Sequence, residues 1–156
     1  QNGHAGSNPL VIKVKAVQFA WNFTYPNGKS VGILTLPVNR PAKLEITSGD
    51  VIHSFWVPEF SQKQDAVPGQ VNEIVVTPDR IGTYPVICTE LCGLGHALMR
   101  STAKVVAQSE FAAFMKNGGA QSRPPGLAAS VQAAIAEPAA GVVRRRQGAV
   151  GALHLK

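Results

Sequence analysis

Residues 82–107 read GTYPVICTELCGLGHALMRSTAKVVA, and the way the middle of that stretch is taken decides the fold. Cys88, Cys92 and His96 recur every four residues, a spacing that would line them up on one helix face. A helix rises ~1.5 Å per residue, so Cys88 and His96 would stand ~12 Å apart, too far for one compact site. Gly93 and Gly95 also weaken a helix there. The segment is therefore expected to be a loop that curls round a metal centre. A strand over 82–88 launches it, and a strand over 101–107 returns the chain to the sheet.

Strand patterns continue on the N-terminal side. Val11, Lys13 and Lys15 alternate with Ile12, Val14 and Ala16 in the stretch 10–19, and Trp21, Phe23 and Tyr25 carry the alternation to the turn Pro26-Asn27-Gly28. Further short strands are expected at 31–36, 43–47, 51–57 and 71–77. The turn signals between them are Asn39-Arg40-Pro41, Ser48-Gly49-Asp50, Pro68-Gly69, Pro78-Asp79 and Ile81-Gly82. Many short strands at this spacing predict an all-β fold, a Greek-key β-sandwich or barrel. One short C-terminal helix is expected, capped by Ser109, with Glu110 at its positive end and Phe111, Phe114 and Met115 on one face. Asn117-Gly118-Gly119 should stop it.

Three segments follow: a flexible lead over 1–9, a β domain over 10–118 and a low-complexity tail over 119–156. The tail holds Ser122-Arg123-Pro124-Pro125-Gly126, a weak amphipathic helix over 127–136 ended by Pro138, and Arg144-Arg145-Arg146. It reads as a flexible tail, with docking on a partner subunit or on anionic lipid as the sharper reading. His4 and His154 are bystanders in these ends.

Composition sets the outer bounds. With 45% hydrophobic and 15% charged residues in 156, the chain can build a core and is not disordered throughout. The net charge of +6 is uneven: up to Gly118 there are 10 basic and 8 acidic residues, so most of the excess lies in the tail. The body lacks the basic, aromatic-interleaved face of a nucleic-acid binder. Apolar runs are too short for a membrane helix. The chain starts at Gln1 with no visible signal peptide, and so reads as a processed or excised piece of something larger.

The chemistry concentrates in Cys88, Cys92, His96 and Met99, with His53 35 residues before Cys88 on an expected strand. A disulfide between such near neighbours closes a tiny loop and removes little chain entropy, so the two cysteines read better as metal ligands. Thiolates and a thioether select copper, zinc or iron–sulfur, and imidazole suits copper and zinc. One zinc could use two Cys and two His, but its usual ligand spacing pairs the histidines closely, and zinc gives no reason for Met99. Two copper ions bridged by two thiolates use every group: each keeps one imidazole, and the axial positions fall to Met99 and a backbone carbonyl.

These residues, with Val51-Ile52-His53-Ser54-Phe55-Trp56 and Asp65-Ala66-Val67-Pro68-Gly69 ahead of them, closely resemble subunit II of the haem-copper cytochrome c oxidases over roughly residues 10–117. The resemblance implies a cupredoxin-like β-barrel with a dinuclear CuA centre. Such a domain accepts electrons from cytochrome c and passes them towards haem in subunit I, where O2 is reduced to water. It also implies an extracytoplasmic place on the outer face of a bacterial plasma membrane, with membrane attachment through transmembrane segments outside this sequence. Position by position, His53 and His96 match the terminal imidazoles, Cys88 and Cys92 the bridging thiolates, and Met99 the weak thioether. Glu90 matches the residue whose carbonyl is the opposite weak ligand and whose carboxylate faces a magnesium ion shared with subunit I. Asp65 matches an acid near that interface, although it would serve equally as a turn residue.

Phe19 stands where the family usually places the tryptophan of electron entry, and Trp21 matches a second aromatic that would pack in the barrel. Gln70 stands where a basic residue is common. Nitrous oxide reductase carries a similar centre, but its loop usually has an aromatic and an acid where Leu91 and Leu98 stand here. A zinc module or a copper carrier without redox function is the alternative of a different class.

Overall fold

The computed structural model describes residues 8–117. Along β1 (Leu10–Val17) the side chains of Leu10, Ile12, Val14 and Ala16 are buried while Lys13 and Lys15 face solvent, so the alternation read from the sequence is realised as a strand. The chain then runs through β2 (Ala20–Thr24), β3 (Ser30–Val31), β4 (Leu34–Pro37), β5 (Ala42–Ser48), β6 (His53–Val57), β7 (Gln62–Ala66), β8 (Asn72–Val76), β9 (Gly82–Cys88), β10 (Arg100–Val106) and α1 (Gln108–Lys116). Two five-stranded sheets result, ordered β3-β2-β1-β5-β8 and β4-β10-β9-β6-β7. Pairing is antiparallel except for β1 with β5 and β4 with β10, which run parallel. This is the all-β sandwich that the sequence predicts, with its core between the sheets.

Phe23 and Phe55 meet edge to face across that core, with ring centroids 6.3 Å apart. Leu34, Leu36, Leu44, Ile46 and Val86 fill the space around them. Tyr25, just past β2, ties the sheets together: its hydroxyl donates to the Thr35 carbonyl at 2.9 Å and accepts from the Thr35 N–H at 2.6 Å. Phe111 and Phe114 of α1 are buried, and Met115 packs against the same cluster. Lys29 closes the end of the helix, donating to the carbonyls of Phe114 and Asn117 with its ammonium 3.5 Å from the Phe114 ring centroid.

Four local expectations change. The single strand expected over 31–36 is two short ones, because the chain leaves the first sheet after Val31 and enters the second at Leu34. β7 was not expected, since Gln62, Lys63, Gln64 and Asp65 carry no apolar alternation; it is an edge strand whose register comes from β6. Asp65 is thus a strand residue and not a turn residue. The helix starts one residue before Ser109: Ala107 holds the cap position in extended conformation, and no side chain caps it. Burial of Phe111 and Phe114 sets the helix phase, and Gln108 already bonds the Val38 carbonyl at 2.7 Å. The expected lead up to residue 7, the Gly118-Gly119 stop and the tail, with its helix over 127–136 and its three arginines, lie outside the described residues.

Strand ends place the site. β6 begins at His53, β9 ends at Cys88, and β10 begins just after Met99. Because β6 and β10 both pair antiparallel with β9, all three of these ends meet at one pole of the sandwich.

Candidate metal centre

The segment between β9 and β10 is a loop, as its glycines require, closed at its base where the Cys88 N–H donates to the Met99 carbonyl at 3.2 Å. Gly93 has φ of 126°, which L side chains rarely adopt. A Cβ on Gly93 would lie 2.8 Å from Gln18 Nε2, and one on Gly95 would run into the Phe19 ring. The β1–β2 turn therefore lies flat on the loop, and only glycine fits beneath it. From Gly95 onward a short 3-10 turn, His96–Leu98, aims His96 back at the cysteines.

The donor atoms form a connected row. His53 Nδ1 lies 3.9 Å from Cys88 Sγ, Cys88 Sγ lies 3.8 Å from Cys92 Sγ, and Cys92 Sγ lies 3.5 Å from His96 Nδ1. Weaker donors flank the sulfurs: the Glu90 carbonyl oxygen 3.3 Å from Cys88, and Met99 Sδ 3.8 Å from Cys92. His53, Cys88, Cys92 and Met99 are buried, and His96 is half-buried. The donor atoms of His53, Cys88 and Cys92 all lie within 4.8 Å of one another, whereas His96 joins them through Cys92. All six residues singled out as ligands thus converge on one place.

The set suits a soft cation. Burial, reinforced by the neighbouring Cys88 sulfur, pushes the Cys92 thiol up to about 12. Cys92 therefore favours its protonated form in the free protein, and a bound soft metal ion favours the thiolate. Two sulfurs, two imidazoles, a thioether and one carbonyl match a copper site better than an oxygen-seeking cation.

In the sequence Asp50 is only the end of the turn Ser48-Gly49-Asp50. Its Oδ1 faces His53 Nε2 at 2.8 Å and accepts the Val51 N–H at 2.7 Å, and its Oδ2 accepts the Gln18 N–H at 2.7 Å. Burial works against the charge of Asp50, but these bonds prevail and hold its carboxyl below the usual range. The carboxylate fixes the proton on Nε2, leaving Nδ1 of His53 with a free lone pair toward the sulfurs. An acid three residues before a candidate ligand histidine was the available signal.

Trp21 is buried, edge-on to Phe55 at 5.4 Å and 6.3 Å from the His53 ring. Phe19 is half-buried against the ligand loop. The Glu90 side chain is exposed, and Asp65 accepts the Ser54 hydroxyl at 2.7 Å. Leu91, Leu94 and Leu98 on the loop, and Val51 and Ile52 before His53, expose apolar side chains around the pole.

The family model described as cytochrome c oxidase subunit II, periplasmic domain, matches residues 29–106. Cytochrome c oxidase subunit 2 of Synechocystis sp. is 48% identical over 97 residues, covering 62% of this chain and 29% of the relative. Cytochrome c oxidase subunit 2 of Thermostichus vulcanus is 43% identical over 117 residues, covering 74% and 36%. The chain thus spans about a third of the length of these curated relatives. The crystal structure of the periplasmic domain of subunit II of cytochrome oxidase from Bradyrhizobium japonicum matches with a TM-score of 0.69 at 30% identity, covering 74% of this chain and 96% of that one.

Proposed function

The chain belongs to the cytochrome c oxidase subunit II family, as its periplasmic domain, and from that premise we propose that it carries electrons through a dinuclear CuA centre. The donor is a cytochrome c or a similar protein, and the acceptor is haem in subunit I of a haem-copper oxidase that reduces O2 to water. Residues 10–118 form the copper domain in this reading. The observation that carries it is the row His53–Cys88–Cys92–His96, with one weak donor beside each sulfur. An extended row, in which His96 stands apart from the His53 group, favours two ions sharing the sulfurs over one tetrahedral zinc.

When bound, the copper pair supplies a one-electron store at the surface end of the domain. The protein's own residues do the rest. Cys88, Cys92, His53 and His96 would hold the copper, and Met99 and the Glu90 carbonyl would be the weaker donors beside the sulfurs. Asp50 orients His53. Buried Phe55 and Trp21 exclude water on the core side. Phe19 and Trp21 are the aromatics nearest an entry path. The Glu90 carboxylate and Asp65 would face a magnesium ion shared with subunit I. Among the described residues no helix is long and apolar enough to cross a membrane, so attachment would rest on other segments or on subunit I.

Copper reconstitution tests the reading. The chain should take up two coppers and show an electron spin resonance signal shared over both ions, with the purple colour of a mixed-valence dithiolate. One tightly held copper, or zinc retained against copper, overturns it.

A further inference from the structure

The β1–β2 turn touches both halves of the site through one residue. Gln18 donates its backbone N–H to Asp50 Oδ2 at 2.7 Å, and Asp50 in turn holds His53. Its side chain donates from Nε2 to the Cys92 carbonyl at 2.6 Å. The segment that receives this bond has little else to hold it. Among the described residues, Gln18 makes the only hydrogen bond to residues 90–95 from outside the stretch 88–99; the others there run within that stretch, from Cys88 at the end of β9 onward. That segment contains Gly93 and Gly95, so its backbone has more freedom to lose than any other part of the site. Phe19 then lies against the two glycines from the same turn.

We propose that Gln18 is a positioning residue for the copper centre, a clasp that sets the peptide of Cys92 and, through Asp50, the ring of His53 relative to each other. The inference rests on the copper reading of the site and deepens it. A sulfur whose peptide is pinned keeps one position through loading and electron transfer. A sulfur on an unpinned glycine loop would shift, and its overlap with the metal would shift with it. Partners of this kind, one bond removed from a ligand, change metal affinity by about ten- to a hundredfold when lost.

The test uses the full chain loaded with copper, and three variants. Gln18→Glu keeps the shape and the backbone N–H but replaces the donor by an acceptor. Gln18→Ala removes the side chain. Gln62→Ala is the control: Gln62 donates in the same way to the Val75 carbonyl at 2.8 Å, but at the far end of β6 from His53. Both Gln18 variants should release copper to excess chelator about tenfold faster than the parent, with altered hyperfine splitting and visible bands. Gln62→Ala should match their fall in melting temperature yet keep the parent's spectrum and release rate. Gln18→Glu with the parent's release rate and spectrum overturns the proposal, as does Gln62→Ala shifting both to the same degree. Failure of both Gln18 variants to fold also overturns it, by making Gln18 a residue of the barrel. A parent chain that takes up no copper is a separate outcome: it removes the copper reading itself, and this inference with it.

Discussion

Cys92 Sγ touches three other donors, those of His96, Cys88 and Met99, so the residues around it cannot be equal in weight. Thiolates bridge and hold, whereas a thioether donates weakly and tunes. On the proposed two-copper reading, Met99→Leu is expected to keep its copper content and to shift the reduction potential, while Cys88→Ser or Cys92→Ser abolishes the shared resonance signal. Metal analysis with potentiometry checks this ranking, and copper loss in the methionine variant as complete as in the cysteine variants would reject it. Asp50→Ala leaves His53 Nε2 and two backbone N–H groups without their acceptor. Copper release about ten- to a hundredfold faster is expected, read by chelator competition. The candidate ligands are legible in the sequence because their chemistry is in the residue type: few arrangements other than a metal use two cysteines, a histidine and a methionine in twelve residues. Asp50 and Gln18 are not, because their roles depend on which backbone and ring atoms three separate turns bring together.

Among the elements, the link between Tyr25 and Thr35 is the one whose loss is simplest to read. It is far from the copper pole, buried, and bonded twice to the backbone of one residue. Tyr25→Phe strands a buried N–H and should cost about 1–3 kcal/mol in denaturant unfolding, with the copper spectrum unchanged. Burial also raises the pKa of the Tyr25 phenol well above the ordinary tyrosine value of about 10, despite its bonds to Thr35. Above that pH the unfolded chain loses the proton and the folded one keeps it, so stability falls as pH rises, by up to about 1.4 kcal/mol per pH unit. The contribution is intact below pH ~10. Alkaline unfolding of Tyr25→Phe should lack that slope; a variant with the parent's slope would reject the assignment. β1, β5 and β9 were legible because apolar and polar residues alternate along them or turn signals bound them. β7 was not, since an edge strand of Gln, Lys, Gln and Asp is specified by its neighbour's register and not by its own burial. The helix cap was misplaced for a related reason: two phenylalanines seeking the core outweigh one serine hydroxyl.

At the scale of the molecule, the core is complete without metal. Copper-free chain should keep its strand spectrum and melt at a lower temperature than the loaded form, since a ligand held at 1,000 times its dissociation constant adds about 4 kcal/mol. A random-coil copper-free spectrum would contradict this. The pole is ringed by Leu94, Ala97 and Leu98, and residues up to 118 carry 10 basic against 8 acidic side chains. A donor that docks there through apolar contact should transfer electrons at a rate nearly flat in ionic strength, because salt screens only charge. Stopped-flow rates across the physiological range decide it, and a steep fall with salt would point to a local patch around Glu90 and Asp50.

The two parallel pairings carry a temporal meaning. Leu34 meets Ala103, and Leu10 meets Ala42, only after long stretches of chain have been closed into place. Folds dominated by such distant pairings take milliseconds to seconds to form. His53 faces Cys88 only once β6 lies beside β9, so copper meets its whole set of donors only after these distant strands have paired. Metal then arrives as a guest at a finished house: refolding should run at one rate whether copper is present or not, and the unfolding limb alone should slow.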